Sequence, residues 1–204
     1  MKRYKFLREV KGKIKSDSGN LTWQIGKQKT HRGQLDLCRS GLHCSKEIQQ
    51  AFSFVQGEIL AIVECEGKHL EKSDKEVWQK MTILKAYKWQ KADSVALSIY
   101  VAELVISNYE KEYPNDSRLR DAIEAAKKWL KNPTKDNQEA AWSAARSAES
   151  AAWSAAESAA ESAAWSAARS AAWSAESAKS AICKKIEAFM VKRLKKLEEI
   201  KESK

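Results

Sequence analysis

Apolar and polar positions change rhythm once along this chain, near residue 91. Before that point the short patterned runs have a period of two. Leu21-Thr22-Trp23-Gln24-Ile25 alternates between the turn residues Gly19-Asn20 and Gly26, which predicts a half-buried strand. Leu35-Asp36-Leu37-Cys38 alternates again and is broken by Ser40-Gly41, so a second strand is expected there. Ser45 stands where it would cap a helix carrying Ile48, Ala51, Phe52 and Val55 along one face. The nearly continuous apolar run from Glu58 to Cys65, flanked by Gly57 and Gly67, predicts a central strand, and a last one includes Met81 to Trp89. The connections are too short for crossover helices, so the pairing is expected to be antiparallel.

After residue 91 the period becomes helical. Asp93 or Ser94 caps a helix to about Tyr113 that is apolar nearly all round (Val95, Leu97, Ile99, Val101, Leu104, Val105), the pattern of a buried helix. Pro114-Asn115-Asp116 ends it, and Leu119, Ile123, Ala126 and Leu130 mark a second helix that Asn132-Pro133 stops. Residues 140–180 divide into eleven units ending in Ser, eight of four residues and three of three. With Ala dominant and no Gly or Pro, this stretch reads as continuous helix, and its mean unit of about 3.7 residues approaches the period of a right-handed supercoil. Its small residues invite a closely packed partner helix, from the same chain or from a second copy. The last helix, Ile182 to Ile200, sets Ile186, Phe189, Met190, Leu194 and Leu197 on one face among lysines, as a core-packing or coiled-coil helix does.

The fold class is therefore α+β: a small antiparallel β-rich N-terminal domain with one helix over residues 1–91, then an α-helical region over 92–204. That region comprises a helix pair (92–133), a long Ala/Ser/Trp-rich repeat helix (140–181) and an amphipathic C-terminal helix (182–204).

Composition sharpens this outline in two places. No apolar run approaches the length of a membrane span, and the basic start is not followed by the apolar stretch of a signal peptide, so a cytoplasmic protein with no membrane partner is expected. The net charge of +10 is uneven: residues 1–90 hold 18 Lys/Arg against 10 Asp/Glu, whereas 140–182 are almost balanced. That balance suits an anionic partner on the N-terminal domain, a nucleotide-like ligand, a nucleic acid or an acidic host protein, while Lys-rich solubility is the plainer reading of the same charge. Cys38, Cys44, Cys65 and Cys183 lack CxxC spacing and are expected to be reduced and mostly buried. Together with His43 and His69 the first three fit no common zinc pattern, so no metal and no cofactor are expected.

No nucleophile, base and orienting group fall into a recognisable spacing, so no catalytic residue is assigned and a binding protein is favoured over an enzyme. Trp23, Arg32 and Arg39 are the ligand-binding candidates that the basic domain supplies. In the repeat, Trp142, Arg146, Trp153, Trp165, Arg169 and Trp173 are candidates for packing or for stacking on bases. Packing through the long helices would make a homo-oligomer.

Two segments resemble known families. The run Cys38-Arg39-Ser40-Gly41-Leu42-His43-Cys44-Ser45, with Ala51 and Val63-Glu64-Cys65-Glu66-Gly67, resembles an uncharacterised domain of phage and prophage proteins. Tyr113 to Ala126 is similar to a helical family of immunity proteins that continues into Ala-rich helices, although Leu119 stands where that family usually has Pro. These resemblances imply a mobile-element origin and a counter-defence or immunity-type inhibitor. Gly41-Leu42-His43-Cys44-Ser45 and the following helix are also similar to a stretch of ADP-ribosyltransferase-like folds. That likeness implies a cleft lined by His31, His43, Ser45 and Glu64 or Glu66, and with it the alternative of an enzyme acting on a nucleotide. A third class is a structural, oligomerising phage component.

Overall fold

The computed structural model describes every residue except 19–20, 146, 148–167 and 202–204, and for Val105 and 168–180 the backbone alone. The chain divides into two compact units, one of residues 1–90 with 187–204 and one of residues 91–186.

The first unit is an antiparallel sheet with one short helix, the α+β arrangement expected. Its strands are β1 (Lys2–Val10), β2 (Lys13–Lys15), β3 (Thr22–Trp23), β4 (Gln28–Thr30), β5 (Leu42–Cys44), β6 (Ile59–Glu71) and β7 (Glu76–Lys88), with α1 (Ile48–Phe54) between β5 and β6. The order is β3-β2-β1-β6-β7-β4, and β5 also pairs with β7. Lys11 (φ 51°) and Gly12 (φ 72°) form the two-residue turn between β1 and β2, where both positions need left-handed backbone. The sheet bends until its ends meet: Ser45, just past β5, exchanges both main-chain hydrogen bonds with Tyr4 of β1 at 3.0 Å. Strands β1, β6, β7 and β5 therefore enclose a barrel-like core of Leu7, Leu42, Cys44, Ile59, Ala61, Val63, Cys65, Trp78, Met81, Ile83 and Ala86, with Trp23 buried among them. On β1 the alternate residue Phe6 faces the other way, toward α1. It makes edge-on ring contacts with Phe52 (5.1 Å) and Trp89 (5.4 Å).

Three local expectations are overturned here. Leu35–Cys38 is a turn, because the Asp36 carboxylate takes the N–H groups of Cys38 and Arg39, both at 2.8 Å, and so competes with any strand ladder. Ser45 does not cap α1. It is spent on closing the barrel, while Glu47 and Gln50 form the capping box and Glu187 accepts from the N–H groups of Ile48 and Gln49, each at 3.0 Å. The C-terminal helix does not reach Ile200. It ends at Leu194, and the chain then runs along β7, with Lys88 N–H donating to Glu198 O (3.0 Å) and Ile200 N–H to Ala86 O (2.8 Å). Residues from 187 on thus belong with the β-rich unit.

The second unit contains α2 (Lys91–Glu112) and α3 (Arg118–Lys131). Ile99 and Ile106 of α2 bury against Ile123 of α3, ringed by Val95, Ala102, Leu119, Ala126 and Leu130. Arg120–Glu110 (2.6 Å) and Lys127–Glu103 (2.9 Å) pair across the two helices. The all-round apolar pattern of α2 does not make it wholly buried: Val95, Val101 and Leu104 are only half-buried, because α3 covers one stripe. Helix α4 covers 135–145. Helix α5 (Ala168–Leu194) runs across residue 181, where the repeat helix and the C-terminal helix were expected to meet. The expected continuity of the whole repeat helix falls mainly on 148–167, outside the described residues. Among the described residues no helix is long and apolar enough to cross a membrane.

Candidate functional site

A cleft of about 650 Å³ opens in the β-rich unit between β1, the loop before β3, the loop leading into β5, and α1. The β5 loop is rigidly folded. Asp36 and Ser40 exchange main-chain hydrogen bonds around the Asp36 side-chain turn, and the His43 Nε2–H donates to Asp36 O at 3.2 Å. The two N–H donors of Cys38 and Arg39 hold the Asp36 carboxyl below its ordinary range. His43 is pushed down, first by burial and then by the nearby charge of Lys5, so it is neutral at pH 7. Gly41 has φ +122°, and a Cβ there would fall 2.3 Å from Val77 Cγ2, so only glycine lets this loop lie against β7.

Lys5 is the chemically unusual member of the wall. Its place in β1 sends the side chain inward at the closed end of the barrel, where its ammonium donates to His43 O at 2.7 Å and lies 5.8 Å from the ring centre of Trp23. Burial lowers its pKa, only partly opposed by the nearby sulfurs of Cys44 and Cys65. No carboxylate lies within ion-pair distance of it among the described residues. Its neighbour on the same face of β1, Arg3, is by contrast paired through two hydrogen bonds to Glu76 (2.7 and 2.9 Å), which also accepts from Trp78 Nε1 at 2.7 Å. Lys75 and Arg39 line the cleft as well and form no ion pair among the described residues. The one acid on the cleft among the described residues, Asp17, is taken by Arg8 at 2.6 Å.

Of the residues singled out from the sequence, Trp23, His31, Arg39, His43 and Ser45 line this cleft; Arg32 and Glu64 do not, nor does Glu66. Trp23 is 2 % exposed and its Nε1 donates to Ser16 Oγ (2.9 Å), so it is floor rather than a stacking surface. His31 Nε2 lies 3.0 Å from Ser40 Oγ. Trp142 is 69 % exposed. Arg146, Trp153 and Trp165 lie outside the described residues, and for Arg169 and Trp173 only the helical backbone is described. Lys5, Lys75 and Phe54 were not singled out in the sequence; for Lys5, nothing local marks a strand lysine as inward-facing.

The cysteines are free; Cys44 and Cys65 are buried with their sulfurs 3.6 Å apart, Cys183 is half-buried, and Cys38 is exposed, against the expectation for most of the set. Among the described residues no three His, Cys, Asp or Glu side chains converge to hold a metal. A second hollow, of about 570 Å³, lies over the turn Tyr113–Arg118, but it is an open surface whose acid, Asp116, is engaged by Arg118 (2.6 Å) and Tyr109 (2.8 Å).

Residues 1–94 match a family described as a domain of unknown function (DUF7666), and residues 88–182 match the Imm-5 like putative immunity protein family. No curated protein and no solved structure matches the chain. The stretch from Leu37 to Ala51, by which the first domain resembles its family, supplies much of the cleft wall. The chain thus carries an N-terminal match to DUF7666 followed by a match to the Imm-5 like putative immunity protein family.

Proposed function

We propose that this protein is a binding protein of the immunity type whose N-terminal cleft sequesters an anionic, nucleotide-like ligand. The Imm-5 like domain suggests the immunity-type role. The observation that carries the ligand class is Lys5, a desolvated ammonium on the wall of a cleft, held by one carbonyl and matched by no carboxylate. Desolvating a charge is costly unless a counter-charge arrives, and a bound phosphate or carboxylate is the natural one. Lys75 and Arg39 add to the same field. Binding is favoured over transfer chemistry on a nucleotide because the cleft offers no unengaged carboxylate: Glu64 and Glu66 do not line it, and Asp17 is paired. Assembly through the long helices belongs to the same proposal, and light scattering measures it.

Isothermal titration of the full chain with nucleoside mono- and diphosphates tests the reading. Saturable binding that Lys5→Met weakens at least roughly tenfold is expected. No heat from any nucleotide, with an acidic host protein captured instead through the same face, would sink it in favour of a protein ligand.

A further inference from the structure

We infer that Phe54, at the rim of the cleft, is the platform for the ligand's planar ring, so that the ligand lies with its anion inward on Lys5 and its base outward; this rests on the nucleotide reading above. Helix α1 sets two phenylalanines on opposite sides. Phe52 is locked in the aromatic cluster with Phe6 and Trp89 (5.1 and 5.6 Å), whereas Phe54, the last residue of the helix, is 48 % exposed and lines the cleft. A large aromatic side chain left open on a cleft wall is the group that base stacking uses.

The surroundings of this ring differ from those of the buried Trp23. The Lys75 ammonium lies over the Phe54 ring, 5.2 Å from its centre, donates to Cys38 Sγ at 3.5 Å, and forms no ion pair among the described residues. The rim thus offers an aromatic ring with a cation over one of its faces, which leaves the other face to a planar ring while the ammonium meets a flanking negative charge. The inner wall offers a cation without an accessible ring, because Trp23 is covered. A phosphate ester without a base fills only the inner station; a mononucleotide fills both.

The test compares adenosine 5′-monophosphate with ribose 5-phosphate by titration calorimetry on the full chain. The nucleotide is expected to bind roughly tenfold or more tightly, as stacking of one base provides. Phe54→Ala should erase that advantage and leave ribose 5-phosphate unchanged, and Phe54→Trp should restore it. Lys5→Met should weaken both ligands. If Phe54→Ala keeps the full preference for the nucleotide, the platform is overturned while the anion site stands. If neither ligand binds the wild-type chain, the nucleotide reading and this inference fall together.

Discussion

The Lys5 ammonium donates to the main-chain oxygen of His43 across the closed end of the barrel, 38 residues away in sequence and 2.7 Å away in space. The contact satisfies a donor but does not neutralise a charge. Lys5→Met keeps the length of the side chain and removes the desolvated ammonium, so thermal unfolding should show no loss beyond about 1 kcal/mol. Anion binding should weaken in the same variant. Calorimetric scans with and without nucleotide separate the two effects.

Ligand binding should fail at lower alkaline pH than ordinary lysines titrate. Burial sets the Lys5 pKa below 10.5, and only the ammonium holds an anion. Affinity should therefore fall as pH rises through that lowered value, and Lys5→Met should show no such fall. Stability should move the other way: between the folded value and 10.5 the unfolded chain binds the proton that the native state has released, so stability rises with pH. Titrations from pH 7 to pH 10 check both slopes.

The Arg3–Glu76 pair is a buried salt bridge whose partners depend on each other, with side chains 14 % and 1 % exposed. Glu76→Gln strands the guanidinium and should cost roughly 3–5 kcal/mol in urea unfolding, whereas the double variant Arg3→Met/Glu76→Met should recover much of the loss. Burial pushes the Glu76 carboxyl up, but hydrogen bonds from Arg3 and Trp78, with the charges of Arg3 and Lys46, outweigh it and hold the group below 4.5. Its contribution is thus complete above 4.5 and is lost as pH falls through the folded value. Glu76→Gln should remove that part of the acid sensitivity.

Glu187 carries the opposite sign. Burial, aided by the charge of Glu47, raises its carboxyl despite the two N–H donors of α1. Between 4.5 and the raised value the native state keeps a proton that the unfolded chain has lost, so this group makes stability fall as pH rises. Glu187→Ala should flatten that fall and, at neutral pH, remove a cap worth about 1 kcal/mol. Faster hydrogen exchange confined to the Ile48 and Gln49 amides would identify the cap as the cause.

Half-buried strands and their turns were legible in the sequence wherever the side chain's fate follows from its neighbours. Thr22-Trp23 obeys the period of two because one face meets the core, and the run into Cys65 is nearly continuously apolar because Ile59, Leu60 and Ala61 are buried on both faces of the sheet. Leu35–Cys38 obeys it and is nevertheless a turn, since one carboxylate two and three residues upstream of two amides outbids the ladder. His31 and His43 stood out through the likeness to ADP-ribosyltransferase-like folds, and Arg39 through the basic charge of the N-terminal domain. Lys5 did not, because its inward direction comes from pairing with β6 and from closure at Ser45, both set by residues far along the chain. Segment 198–200 has no strand pattern at all; it is held by the open edge of β7 and by the ion pairs Lys85–Glu199 and Lys88–Glu198.

That late return has a consequence for biosynthesis. Lys88 meets Glu198 after 110 further residues have been made, and the fully buried Met190 and the Glu187 cap arrive in the same stretch. On the ribosome the nascent barrel therefore waits with one strand edge and one apolar seat open while the helical domain is synthesised, an interval in which strand-edge association is the hazard and a chaperone the remedy. A fragment cut at the family boundary near residue 94 inherits that unfinished state permanently.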